Sequence, residues 1–220
     1  MKKTILAHHG RLSKAFFLFF NFPSARFLVS YVPNREYKMN VLILLANGVE
    51  PLEAVTIIDV LRRADVKVTT VSLTDTVSVR AAHKITLTAD ALWSAVDLET
   101  FGAVVLPGGG KGTEQLIADK RVILAVQTFA ATGRFVAAVC AAPTVLAAAG
   151  ILAERRATCY PTCAELLGTV YDDAPVIVDG NIITSQGPGT TMLFSLVLVQ
   201  QFMGDRVAQD VANRLLTTFG

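Results

Sequence analysis

Three short, wholly apolar runs constrain this chain more than anything else in it: Val41-Leu42-Ile43-Leu44-Leu45, Ala103-Val104-Val105-Leu106 and Phe135-Val136-Ala137-Ala138-Val139. A strand without polar alternation has no face to offer water, so it belongs in a parallel sheet covered on both sides. Ala46-Asn47-Gly48 breaks the first run, and Pro51 opens a helix reaching about residue 64. In that helix Leu52, Val55, Ile58 and Leu61 recur at three-residue steps, which predicts that they form its buried stripe. Residues 66–73 read as a second strand, followed by β-branched alternation around 77–79 and 85–88. Residues 117–132 read as one helix and 141–149 as another. Short strands are expected at 157–159, 176–178 and 182–184, and helices at 190–203 and 205–216. This order predicts an α/β, flavodoxin-like, doubly wound fold: a mostly parallel sheet with helices on both faces. Sites in such sheets lie at the carboxyl ends of the strands.

Residues 1–38 read differently and are taken as an N-terminal extension to a domain at 39–220. The extension carries seven Lys/Arg against one acid, with an apolar run from Ala15 to Phe20 that is too short to span a bilayer. A basic, acid-poor leader suits a mitochondrial transit peptide, with a signal peptide as its rival. Met39, directly before the first strand, suits an upstream start codon equally well. The expected location is mitochondrial if the leader functions and cytoplasmic if it does not. The remaining domain is mildly acidic, with 13 basic against 17 acidic residues and no basic stripe, which argues against nucleic acid as a partner. Its three cysteines, Cys140, Cys159 and Cys163, form no disulfide framework and point to a reducing compartment. The pair Cys159 and Cys163 has neither a nearby histidine nor a second pair, so no metal is expected there.

The chemistry concentrates where the apolar strand at 135–139 stops at Cys140 and a helix of small residues begins at once. That is the layout of a nucleophile elbow, with Ala138 and Ala142 where only small side chains fit. The turn strains the cysteine backbone and presents its sulfur over the sheet edge, and a following helix N-terminus favours thiolate over thiol. No histidine follows His83, so the proton partner has to be a carboxylic acid at another strand end. Glu50 and Glu53 both follow the first strand. Glu50 suits the helix dipole, whereas Glu53 is placed to lean over the strand ends. Buried beside a sulfur, it would stay protonated and donate to the thiolate. Leu106-Pro107-Gly108-Gly109-Gly110 lets backbone N–H groups approach an oxyanion, and Ser185-Gln186-Gly187-Pro188-Gly189-Thr190 reads as a structural loop whose Thr190 caps a helix.

Four segments in order resemble the ThiJ/PfpI superfamily, in the branch of the Parkinson-associated protein deglycase: Asn47 to Glu53, Leu106 to Gly109, Ala138 to Thr144 and Thr184 to Thr190. The resemblance covers about 39–216. It implies that Cys140 is an oxidisable nucleophile, that Glu53 is the protonated acid beside it, and that Gly109 and Ala141 supply N–H groups to an oxyanion. Gly108, Tyr160 and His83 are the candidates for lining the site. It also implies a homodimer, with Arg62 and Arg63 near the contact. Two positions depart from the pattern: Tyr160 stands where some members carry a histidine, and His83 where a close relative has an arginine. The resemblance implies a glyoxalase or deglycase acting on methylglyoxal-type dicarbonyls or glycated proteins, with no cofactor and no membrane partner. A redox-sensing chaperone that oxidises at Cys140 is the alternative. A cysteine peptidase is the third reading, weakened by the missing histidine.

Overall fold

The computed structural model describes residues 39–219 and, nearer the N-terminus, two short strands, Phe16–Phe17 and Ser30–Tyr31, that pair antiparallel. Those strands belong to a unit separate from the one that begins at Lys38. The rest of the leader expected over 1–38 lies outside the described residues.

The domain runs β1 (Asn40–Leu45), α1 (Pro51–Arg63), β2 (Lys67–Ser72), β3 (Ser78–Arg80), β4 (Thr86–Thr88), β5 (Ala91–Leu92), β6 (Ala103–Leu106), α2 (Gly110–Ala118), α3 (Lys120–Ala131), β7 (Phe135–Val139), α4 (Pro143–Ala148), α5 (Ala164–Leu167), β8 (Val176–Asp179), β9 (Ile182–Ser185), α6 (Thr191–Met203) and α7 (Asp205–Arg214). Its main sheet has the order β8-β9-β7-β6-β1-β2-β5. Every pairing is parallel except that of edge strand β8 with β9. Strands β3 and β4 form a separate hairpin.

The apolar runs do what their composition demands. In β1, Val41, Ile43 and Leu45 pack with α1, α6 and α7, while Leu42 and Leu44 pack on the other face with α2, α3 and α4. Alternate side chains of one strand therefore serve two cores, so neither set has room for a polar residue. Among the described residues no helix is long and apolar enough to cross a membrane.

Three expectations need correcting. The buried stripe of α1 is Glu53, Ala54, Ile57, Val60 and Leu61, whereas Leu52 and Val55 are 53% and 49% exposed. The helix is rotated by about one position from the reading above, because a carboxyl group occupies a core-facing place. The single helix expected at 117–132 is two helices, broken at Asp119, whose side chain accepts the Arg121 N–H at 2.9 Å and caps α3. At 157–159 there is no strand; Ala157 alone bridges to Tyr171.

Candidate active site

The carboxyl ends of β1, β6, β7 and β9 meet around Cys140, the first residue beyond β7. Cys140 has φ 65°, a left-handed conformation that costs a residue with a side chain about 1–2 kcal/mol. Two other segments hold it there. Its N–H donates to Ser185 O at 2.9 Å, and its carbonyl accepts the Tyr160 N–H at 2.7 Å. Ala138 and Ala142 flank it with no exposed surface, as the elbow requires. Thr144 closes the turn, its hydroxyl donating to Ala141 O at 2.7 Å.

Glu53 comes to this point from the first turn of α1 and is wholly buried. Its Oε2 accepts the Gly108 N–H at 2.7 Å, while Oε1 makes no hydrogen bond. Gly108 lies between acid and thiol: a Cβ there would stand 2.6 Å from Cys140 Cβ and 2.8 Å from Glu53 Oε2. Gly109 has φ 95°, and a Cβ on it would meet Glu50 N at 2.6 Å. Only glycine allows this loop to lie against both neighbours.

Burial dominates the electrostatics. It raises Glu53 to about 7, against the lowering effects of the Gly108 N–H and the Cys140 side chain, and the charge of Glu50 adds to the rise. Burial likewise pushes the Cys140 thiol up to about 12, helped by the charge and hydrogen bonding of Glu53 and opposed by the Gly109 and Ala141 backbone groups. The expectation that a helix end lowers this thiol is therefore wrong in direction. Helix α4 is six residues long and starts only at Pro143, so its dipole is too small to offset desolvation. Two causes of the rise belong to ionised Glu53 and vanish when Glu53 carries the proton. The acid and the thiol thus titrate as one pair that holds a single proton between its two ionisations.

Cys140, Glu53, Gly108, Gly109 and Ala141 are brought together; the other candidates stand further out. Tyr160 reaches Cys140 through its backbone N–H, and its ring lies against Gly187, whose added Cβ would be 3.3 Å away. His83 is 71% exposed in its side chain and pairs with Glu50 Oε2 at 3.3 Å, at a recess of about 600 Å³ whose lining also includes Arg80, Lys111 and Gly109. Glu50 is the N-cap of α1, accepting the Leu52 N–H at 3.4 Å, and its own N–H donates to Gly108 O at 2.9 Å. Arg62 pairs with Asp90 and Arg63 with Asp59, both at 2.7 Å. Thr190 does not cap α6 with its side chain; its hydroxyl accepts the Gly187 N–H at 3.0 Å and meets Ser185 Oγ at 2.7 Å, bracing the loop from inside. Sequence reasoning missed the clamp from Ser185 and Tyr160, for it runs through backbone atoms that carry no side-chain signature.

A carbonyl carbon held over this sulfur would meet a nucleophile, two backbone donors and a carboxylic acid able to move a proton. Known proteins carry the same arrangement of segments. The DJ-1/PfpI family profile matches residues 39–201. Protein DJ-1 homolog B of Arabidopsis thaliana is 42% identical over 80% of this chain and 41% of its own length, so the chain spans less than half of that relative. The glutathione-independent glyoxalase DJR-1.2 of Caenorhabditis elegans is 32% identical over 81% of this chain and 96% of its own. The solved structure of oxidized Toxoplasma gondii DJ-1 superposes with a TM-score of 0.80 at 34% identity, covering 82% of this chain and all of that one. With the profile spanning the strands that build the elbow, this chain belongs to the DJ-1/PfpI family.

Proposed function

We propose that the domain is a cofactor-free glyoxalase or deglycase acting on methylglyoxal-type dicarbonyls or on their adducts with protein side chains. The observation that carries this reading is the buried Glu53 carboxyl, with one oxygen unpartnered, set beside a cysteine on a strained elbow. Such a pair can pass one proton between acid and sulfur without solvent.

As the Cys140 sulfur adds to the aldehyde carbon, the Glu53 carboxylate takes the thiol proton and passes it to the oxyanion that forms, giving a hemithioacetal. The Gly109 and Ala141 N–H groups support that developing charge. Glu53 then takes the proton from C1 and returns it to C2, converting the adduct to a thioester of the 2-hydroxy acid. Water cleaves the thioester, releasing lactate and the free thiol. Every proton is moved by Glu53 or by water, so the route calls on no metal, glutathione or nucleotide. The C. elegans relative's name supports this substrate class. Deglycation follows the same steps once the hemithioacetal or aminocarbinol carbon passes to the Cys140 sulfur, its bond to the Cys, Arg or Lys side chain breaking and that side chain leaving with a proton.

The test is lactate formation from methylglyoxal by purified protein. Wild type turning over no faster than Cys140→Ala defeats the proposal.

The second reading, redox sensing with or without chaperone activity, rests on the oxidized Toxoplasma relative and on a protonated acid that would hydrogen-bond a Cys140 sulfinate. Peptide mass spectrometry after mild peroxide separates the two, because sensing requires selective oxidation of Cys140. The proposal includes a homodimer, to which the exposed apolar residues Leu52 and Val55 of α1 are suited.

A further inference from the structure

Cys159 and Cys163 lie outside the chemistry above. Both are free thiols, Cys159 fully buried and Cys163 partly exposed. The turn over Pro161–Cys163 folds the chain back on itself, so that two contacts converge on a single carbonyl. The Cys163 N–H donates to Tyr160 O at 2.8 Å, and the Cys159 thiol donates to the same oxygen at 3.4 Å. Both side chains pack into the core on the α2–α4 face of the sheet. Among the described residues no group of three or more metal-ligating side chains includes them.

We propose that Cys159 and Cys163 are a second oxidation site, closing into an intramolecular disulfide that brackets Tyr160. The Cys159 sulfur and the Cys163 nitrogen meet one oxygen, at 3.4 and 2.8 Å, which holds the two residues close together, as a disulfide requires. A hydroperoxide, ROOH, meets Cys163 first because it is the accessible thiol; its sulfur takes one oxygen, giving Cys163–SOH and ROH. The Cys159 sulfur then attacks the Cys163 sulfur. The S–S bond forms, the S–O bond breaks, and the hydroxyl leaves with the Cys159 proton as water. Burial pushes the Cys159 thiol up to about 12, with a smaller contribution from the charge of Cys163. Cys159 therefore meets the sulfenic acid as a neutral thiol and gives up its proton in the step itself. The bridge takes the place of the thiol contact to Tyr160 O, and Tyr160 is the residue whose N–H holds the Cys140 carbonyl.

Trypsin makes the test clean. Cys140 falls in the peptide 135–155 and both other cysteines in 157–206, since no Lys or Arg lies between 157 and 205. Full-length protein is exposed to hydrogen peroxide, unfolded in guanidinium so that buried Cys159 is reachable, alkylated with iodoacetamide and digested. The expected result is a loss of about 2 Da from peptide 157–206 with no alkyl label, reversed by reductant. Cys163→Ser abolishes the loss, and Cys140→Ala leaves it intact, so the result is independent of dicarbonyl turnover. Alkylation of both cysteines at a peroxide dose that oxidises Cys140 overturns the proposal. So does a cross-link between the two peptides, or disappearance of the loss in Cys140→Ala.

Discussion

Gly108 donates its N–H to Glu53 Oε2 at 2.7 Å while its Cα faces Cys140, so one residue sets the separation of acid and thiol. A methyl group at this position would stand 2.6 Å from Cys140 Cβ and 2.8 Å from Oε2, and also 2.8 Å from the Val139 carbonyl. Cys140 Cβ and the Val139 carbonyl cannot swing aside, and Oε2, a side-chain tip, is held in place by the Gly108 N–H. Gly108→Ala is expected to destabilise the fold by about 1–3 kcal/mol in denaturant unfolding, the usual range for overpacking. It should also spread the pair and remove lactate formation. A variant with wild-type stability and turnover would show that the pair tolerates a wider spacing.

The strain at Cys140 is separable from its sulfur. Cys140→Ala and Cys140→Gly both delete the sulfur, but only glycine is at ease at φ 65°. The left-handed penalty outweighs the extra chain entropy glycine loses on folding, so Cys140→Gly should be the more stable of the two by about 1 kcal/mol. Equal stabilities in thermal or denaturant unfolding would remove strain from the account of the elbow.

Alkylation of Cys140 against pH reads the shared proton directly. In wild type the pair loses its first proton near the value of about 7 given for Glu53, and the remaining proton stays on the sulfur, the more basic of the two. Iodoacetamide labelling should therefore stay low through neutral pH and rise only in alkaline solution. In Glu53→Gln no carboxyl can take the proton, and burial holds the lone thiol up. The carboxylate charge and hydrogen bond that raise the thiol in wild type are gone, so labelling should begin at a lower pH than in wild type. A variant whose labelling curve coincides with that of wild type would remove Glu53 from the electrostatics of the site.

The same carboxyl makes stability depend on pH, and the sign is set. Folding raises Glu53 from its ordinary 4.5 to about 7, so the folded state binds the proton more tightly than the unfolded chain does. The stabilisation is complete below about pH 4.5 and is lost as pH rises through about 7. Glu53→Gln has nothing to ionise. Its stability relative to wild type should improve by about 3 kcal/mol between about pH 4 and pH 8, as 1.36 kcal/mol per unit implies. A difference that stays flat across this range would contradict the raised value.

The fold was legible because β1, β6 and β7 are apolar on both faces, a pattern with few structural solutions. The elbow was legible because Ala138, Cys140, Ala142 and Pro143 obey steric rules that any sequence has to follow. What stayed hidden follows from tertiary context. The stripe of α1 was misread because Glu53, a charged residue type, sits in the core, and burial of that carboxyl is what the site requires. The thiol was misread because a helix dipole is visible in sequence, whereas desolvation depends on Glu53 and loops distant along the chain. The clamp on Cys140 from Ser185 and Tyr160 uses main-chain atoms and has no residue signature.

Leu52 and Val55 are 53% and 49% exposed on a helix whose opposite side is packed into the core. Farther along, Arg62 and Arg63 are engaged by Asp90 and Asp59. An apolar strip with charged residues at its end suits burial against a second copy, which agrees with the proposed homodimer. Replacing both Leu52 and Val55 with Glu should leave the fold intact, because neither contributes to the core, and should place like charges at the contact. Light scattering should then report a monomer where wild type reports a dimer, with unchanged far-UV circular dichroism. A dimeric double variant would move the contact to another face, and a monomeric wild type would remove the dimer from the proposal.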